Sequence, residues 1–321
     1  MSGGENRAVA VRRWLGLVFG GSIGAAVAVQ SRINGELGAR LHDGIAAATI
    51  SFGSGLLILA VVFTCSGRVR AGVVRVRAAL AVGELRWWQL LGGLSGGYFV
   101  ACQGLSVAAL GVTAFTVAAV AGQLVSSLVV DRLGWGPGGR TPVTVWRIGA
   151  AVLGLIAVLL AVVGRNGSGS IGDGHSGASV LLVVLPLIAG VLVAWQQAVN
   201  GRVGAVGGPL SATLANFATG TAALIVVEAT VLVRRGGLAP LPSEPWLYVG
   251  GLIGISFVAL AVAVVRWIGV LLLGLTSVAG QLLASALLDV IAPTGTNLSP
   301  AAVIGCGLTF VAVALAARTR G

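Results

Sequence analysis

Residues 88–131 align without a gap to residues 246–289 at a constant offset of 158, and 18 of the 44 positions are identical. The shared positions include Gly92/Gly250, Gly93/Gly251, Gly96/Gly254, Phe99/Phe257 and Gly111/Gly269. Each copy ends on the same stripe. The first reads Val120-Ala121-Gly122-Gln123-Leu124 with Ser127 and Asp131, and the second Val278-Ala279-Gly280-Gln281-Leu282 with Ser285 and Asp289. At 3.6 residues per turn, Gln, Ser and Asp spaced i, i+4, i+8 share one helix face. The first copy lies in an unbroken uncharged run of 44 residues, 87–130. A membrane crossing needs about 20 residues, so this run predicts two spans joined by a tight turn near Gly111. A polar stripe on such a helix must face protein or water, because lipid cannot satisfy it.

The repeat extends to the front of each half. Residues 30–35, from Gln30 through Asn34 to Gly35, correspond to 196–201, from Gln196 through Asn200 to Gly201. Phe52 and Gly55 correspond to Phe217 and Gly220, and Gly149 to Gly305. Uncharged runs place further spans at 14–31, 44–67, 148–164, 176–201, 203–227, 245–265, 267–288 and 301–317. The expected fold is an all-α membrane protein of ten transmembrane helices. It is organised as a first five-helix repeat over 1–164, a Gly/Ser-rich linker over 165–177 and a second repeat over 178–321. A longer basic loop at 68–86 distinguishes the first half. Arg12-Arg13 before an apolar stretch imitates a signal peptide. The internal copy at 196–201 argues that this segment is a retained span.

Composition excludes a soluble class. Only 9% of the residues are charged and 57% are hydrophobic, against about 25–35% charged on an ordinary soluble surface. The net charge of +11 resides in short loops between apolar runs, which points to membrane orientation and away from nucleic acid. With the N-terminus in the cytoplasm, fifteen arginines fall inside and five outside. The expectation is therefore a bacterial inner-membrane, multi-pass protein with both termini cytoplasmic. An odd number of spans per half then makes the halves inverted copies. Cys65, Cys102 and Cys306 show no paired spacing and read as apolar filler.

The segment Gln30-Ser31-Arg32-Ile33-Asn34-Gly35-Glu36-Leu37-Gly38, with Ala46-Ala47 and Ser51-Phe52-Gly53-Ser54-Gly55, resembles the YdcZ-like family of the drug/metabolite transporter superfamily. So does its second copy, residues 196–204 with Asn216-Phe217 and Gly220. The Gly-Gln-Leu…Ser…Asp stretch is similar to that family's fourth helix. The resemblance implies a five-plus-five inverted repeat, with a substrate path between the halves lined by the first four helices of each. The second copy departs by carrying Ala198 for Arg32 and Arg202 for Glu36, so the halves are not interchangeable.

Several polar residues are candidates for that path. Gln123 and Gln281 fall near the bilayer midplane, with Ser127 and Ser285 on the same stripe. These glutamines either line a cavity or hydrogen-bond a neighbouring helix. Gln30 and Asn34, like Gln196 and Asn200, share a face near an expected helix end, where capping and interfacial bonding compete with substrate contact. Asp131 and Asp289 lie ~12 Å beyond the glutamines. The helix dipole opposes an aspartate there, so each needs an arginine, a cap on another segment, a cation or a proton. Structure or gating and proton or cation coupling are the two readings. Glu228 is expected to snorkel outward, and Arg32 to pair with Glu36. Glycines at 16, 20 and 24 form a doubled GxxxG, a statement of close helix packing.

No Ser/His/Asp or Cys/His set converges at membrane depth, and no GxxxxGK[ST] loop is present. The chain therefore reads as no enzyme, without cofactor or metal. The leading expectation is a secondary transporter exporting a small metabolite or drug by alternating access, as a monomer or homodimer. A non-transporting membrane scaffold and a lipid flippase are the alternatives.

Overall fold

The computed structural model describes residues 2–166, 176–235, 237, 239–291, 304, 307, 308, 311 and 315. Within these, side chains at 2–10, 108–114, 117, 154, 157–166, 176–183, 235, 286 and 289–291 are not described. Residues 167–175 of the linker expected over 165–177, and most of the final span at 301–317, thus lie outside the described residues.

The described chain is all helical, with no strand. In order come α1 (Ser2–Leu41), α2 (Gly44–Cys65), α3 (Gly67–Ala81), α4 (Gly92–Leu133), α5 (Val145–Asn166), α6 (Ser176–Gly207), α7 (Pro209–Arg235) and α8 (Gly250–Ile291). Short 3-10 turns at Trp87–Leu91 and Pro245–Tyr248 lead into α4 and α8. Six helices among the described residues are long and apolar enough to cross a membrane.

Helices α4 and α8 are each 42 residues long, which is ~63 Å if straight and about twice a bilayer core. Neither is straight. The rings of Phe99 and Phe115 lie 5.5 Å apart, whereas sixteen helical residues would separate them by ~24 Å. Gly96 and Gln123 line the same small cavity, as do Gly254 and Gln281. Each pair would be ~40 Å apart on a straight helix. Both elements are therefore hairpins, as the length of the uncharged run requires of α4. In α8 the reversal sits at Gly269, with φ 78° and ψ 173°, a region that only glycine enters without strain.

Packing crosses between the halves. Helix α1 packs most extensively on α8, and α4 on α6. The two crossings match position for position. A Cβ on Gly24 would overlap the Ser277 carbonyl, and one on Gly280 the Gly21 carbonyl. A Cβ on Gly190 would overlap the Ala119 carbonyl, and one on Gly122 that of Leu187. Gly16 and Gly20 also face α8, at Ile268 and Thr276, so the GxxxG positions serve close packing.

Three boundaries differ from those expected. Helix α1 continues to Leu41, ten residues past the uncharged run, so Gln30 and Asn34 are interior residues rather than end caps. The break expected near Arg202 falls instead at Gly208–Pro209, where Gly208 takes φ 90° and proline opens α7. This is the usual glycine-stop, proline-start pairing. The basic segment expected as a loop is the amphipathic helix α3. Val69, Gly72, Val76 and Ala79 are its buried face, and Ser66 caps its start through Val69 N–H at 3.4 Å. Arg75 Nε donates to the Val206 carbonyl at 3.1 Å, tying α3 to the end of α6.

Candidate functional site

A cavity of about 70 Å³ lies where α1, α2, α4, α6, α7 and α8 meet. Its lining carries six amide side chains: Gln30, Gln123, Gln196, Gln197, Asn200 and Gln281. Both halves supply equivalent residues. Gln30 and Gln196 come from α1 and α6, and Gln123 and Gln281 from the second legs of the hairpins. At the centre, Phe52 and Phe217 stack with centroids 4.8 Å apart. Each ring lies over the other half's glycine, Phe52 against Gly220 and Phe217 against Gly55.

The amides are held by different partners in the two halves. Gln30 Nε2 donates to the Gly250 carbonyl at 2.8 Å. Asn34 Nδ2 donates to Gln103 Oε1 at 2.8 Å, and Gln103 Nε2 to Ser31 Oγ at 2.8 Å. In the second half, Gln196 Nε2 and Asn200 Nδ2 both donate to Asn216 Oδ1 at 2.9 Å. Gln281 Nε2 donates to Thr116 Oγ1 at 3.1 Å. The oxygens of Gln30 and Gln197 are buried in the lining with no donor.

The sequence candidates divide accordingly. Gln30, Gln123, Gln196, Asn200 and Gln281 converge on the cavity. Asn34 is buried behind it. Ser127 bonds back to the Leu124 carbonyl at 2.8 Å, and neither it nor the buried Ser285 lines the cavity. Gln103, Gln197 and Asn216 were not among the candidates. Gln103 matches Ala261 and Asn216 matches Ser51, so these residues carry no repeat signal.

Asp131 sits apart from the cavity, at the end of α4, and is buried. Its carboxylate accepts from the buried Arg147 guanidinium of α5 and from Leu271 N–H at 3.3 Å. Leu271 follows the Gly269 break, so its amide lacks a partner one turn back within its own leg. Of the four partners open to this aspartate, the geometry supplies an arginine and a helix cap. The backbone carbonyl of Asp131 also accepts from Thr141 N–H at 2.9 Å. Arg202 donates to the carbonyls of Gly134 and Trp135 at 2.6 and 3.0 Å, closing the same helix end. Asp289 lies on α8, but its side chain is outside the described residues.

At the opposite end of α1, Arg40 pairs with Glu36 at 2.8 Å and with Glu244, which precedes α8. Glu36 is thus engaged by Arg40. The hydrogen bond from Arg40 holds the Glu244 carboxyl below its ordinary pKa. Glu228, expected to reach outward, is buried on α7. Cys65 and Cys102 are free thiols. Among the described residues, no cluster of three or more His, Cys, Asp or Glu side chains could hold a metal.

The fold is shared with a solved structure titled "Crystal structure of protein". The match has a TM-score of 0.61 at 18% identity and covers 97% of this chain and 98% of that one. No curated protein matches the chain. The family DMT_YdcZ, described as "Putative inner membrane exporter, YdcZ", matches residues 15–160 and 181–315. Those two segments correspond to the two halves of the duplication and leave out little beyond the linker and the termini. This chain is a multi-pass membrane protein that belongs to the YdcZ family of the drug/metabolite transporters.

Proposed function

We propose that the protein is a secondary transporter of the inner membrane that exports a small molecule by alternating access. Two inverted five-helix halves, with both termini in the cytoplasm, would rock about the central cavity. The observation that carries this reading is the construction of the cavity. Equivalent glutamines from both halves meet around a stacked Phe52–Phe217 pair, in a space of about 70 Å³. Small-molecule sites typically occupy about 300–1,000 Å³, so this arrangement is a closed state that separation of the halves would enlarge.

In this scheme the Asp131–Arg147–Leu271 contact fastens the inner end, and the Arg40–Glu244 contact the outer one. A scaffold would have no need of buried amide oxygens without donors around a cavity. A flippase would need a lateral opening onto polar groups. The open groove between α1 and α8, about 610 Å³, is lined chiefly by apolar and small residues such as Trp14, Leu17 and Leu283, and shares no residue with the cavity.

Counterflow in proteoliposomes against a metabolite library tests transport. Exchange of at least one compound is expected, and well-folded protein that exchanges none sinks the proposal. Topology is tested independently with Gly83→Cys and Ser243→Cys, both at exposed positions. Gly83→Cys should be labelled only from the cytoplasm and Ser243→Cys only from outside. The reverse pattern removes the orientation, and labelling of both from one side removes the inversion.

A further inference from the structure

Building on the transport reading, we infer that the cavity binds a small, uncharged, flat heterocycle with hydrogen-bond donors on its edge. Three observations on the same site lead there.

The first is charge. Among the described lining residues none is ionisable. A net charge brought into this low-dielectric space would lose its hydration and meet no counter-ion, which is strongly unfavourable. The ionic group at the end of α4 is no substitute, since Asp131 and Arg147 already neutralise each other outside the lining.

The second is hydrogen-bond polarity. Gln30 Oε1 and Gln197 Oε1 are buried in the lining and accept from nothing, and Gln30 as a whole is 2% exposed. The Gln30 amide nitrogen is committed to the Gly250 carbonyl, which leaves the oxygen as the acceptor without a partner. Orphaned buried acceptors are costly, so a ligand N–H or O–H regains what folding leaves unmet.

The third is shape. Phe52, Phe99, Phe217 and Phe257 present rings to the same space. Planar amides meeting a ring's edge while phenyl faces cover its plane is how proteins hold flat heterocycles in general. Because neither ligand nor lining carries a charge, the transport step moves no net charge through the cavity.

The test uses ligands of matched shape. Purified full-length protein in detergent is titrated with radiolabelled nicotinamide, nicotinate and 1-methylnicotinamide, which are neutral, anionic and cationic versions of one ring. Uracil and orotate form a second neutral and anionic pair. A neutral member should bind at least about tenfold more tightly than its charged partners. Gln197→Leu should weaken that binding about tenfold. Gln197→Glu keeps the side-chain shape and should turn the preference toward 1-methylnicotinamide. Charged members binding as tightly as neutral ones would overturn the inference, as would no binding by either neutral ring. So would neutral binding that neither substitution at Gln197 alters. Because binding is read without flux, neutral-selective binding by a protein that exchanges nothing in vesicles leaves this inference standing and removes only the transport reading.

Discussion

Asp131 shows how one side chain can join three segments. It ends α4, neutralises Arg147 on α5 and caps the second leg of α8 through Leu271. Removing one partner of a buried ion pair leaves the other uncompensated, typically at about 3–5 kcal/mol. Arg147→Ala should therefore lower thermal stability by roughly that amount. Asp131→Asn with Arg147→Met, which removes both charges and keeps an acceptor for Leu271, should recover much of it in detergent melts. If the single and double variants melt alike, the pair carries no such weight. In the second half, Val303 stands where Arg147 does in the first, so Asp289→Asn is expected to cost less. The outer contact behaves differently. Because Arg40 depresses the pKa of Glu244, its contribution is complete above the ordinary carboxylate range and is lost only as pH falls through the depressed value. Wild type and Glu244→Gln should thus differ by a constant margin from pH 8 down to the ordinary carboxylate range and converge only below it. Convergence already at pH 6 would mean the contact is not formed in solution. At this scale the sequence revealed only what it repeats. Gln123 and Gln281 announce themselves by recurring, whereas Gln103 and Asn216 take over the wiring behind the cavity at positions where the other half has Ala261 and Ser51.

The helices were legible where apolar length dictates them and obscure where it does not. A 44-residue uncharged run has to fold back, and α4 does so, as does α8, its repeat. Charge hid α3, because four of its fifteen residues are arginines, although its buried positions fall on one helical face. The ends of α1 and α6 were hidden for the opposite reason. Polar residues such as Asn34 and Asn200 look like helix ends, yet they are buried partners within longer helices. Gly269 is the element-scale position most open to test. Its backbone at φ 78°, ψ 173° belongs to glycine, and any other residue there stores about 1–3 kcal/mol of strain. Gly269→Ala should lower stability by that much, measured by thermal unfolding, and should loosen the Leu271 cap. An unchanged melting temperature would show that the turn can relax elsewhere. Gly149→Ala, at a helical glycine of α5 with open space around it, is the matched control and should have little effect.

Across the whole molecule, each half makes its tightest helix crossings with the other. Gly24 meets Ser277 and Gly190 meets Ala119, so neither half is a self-contained unit. Expressed alone, residues 1–166 or 176–321 should be degraded. Expressed together, they should assemble and bind as the intact chain does, as co-purification of a tag on one fragment with the other would show. Stable folding of either half by itself would contradict the crossed packing. The same crossing sets a timetable for synthesis. The partner of α1 ends at Ile291, 250 residues after α1 itself ends at Leu41. At roughly 5–20 residues per second, the first helix waits on the order of 10–50 s in the bilayer for its partner. For that interval its doubled GxxxG face and its buried Gln30 have no α8 to meet, which makes the half-made chain, more than the finished one, the natural client of membrane chaperones and proteases.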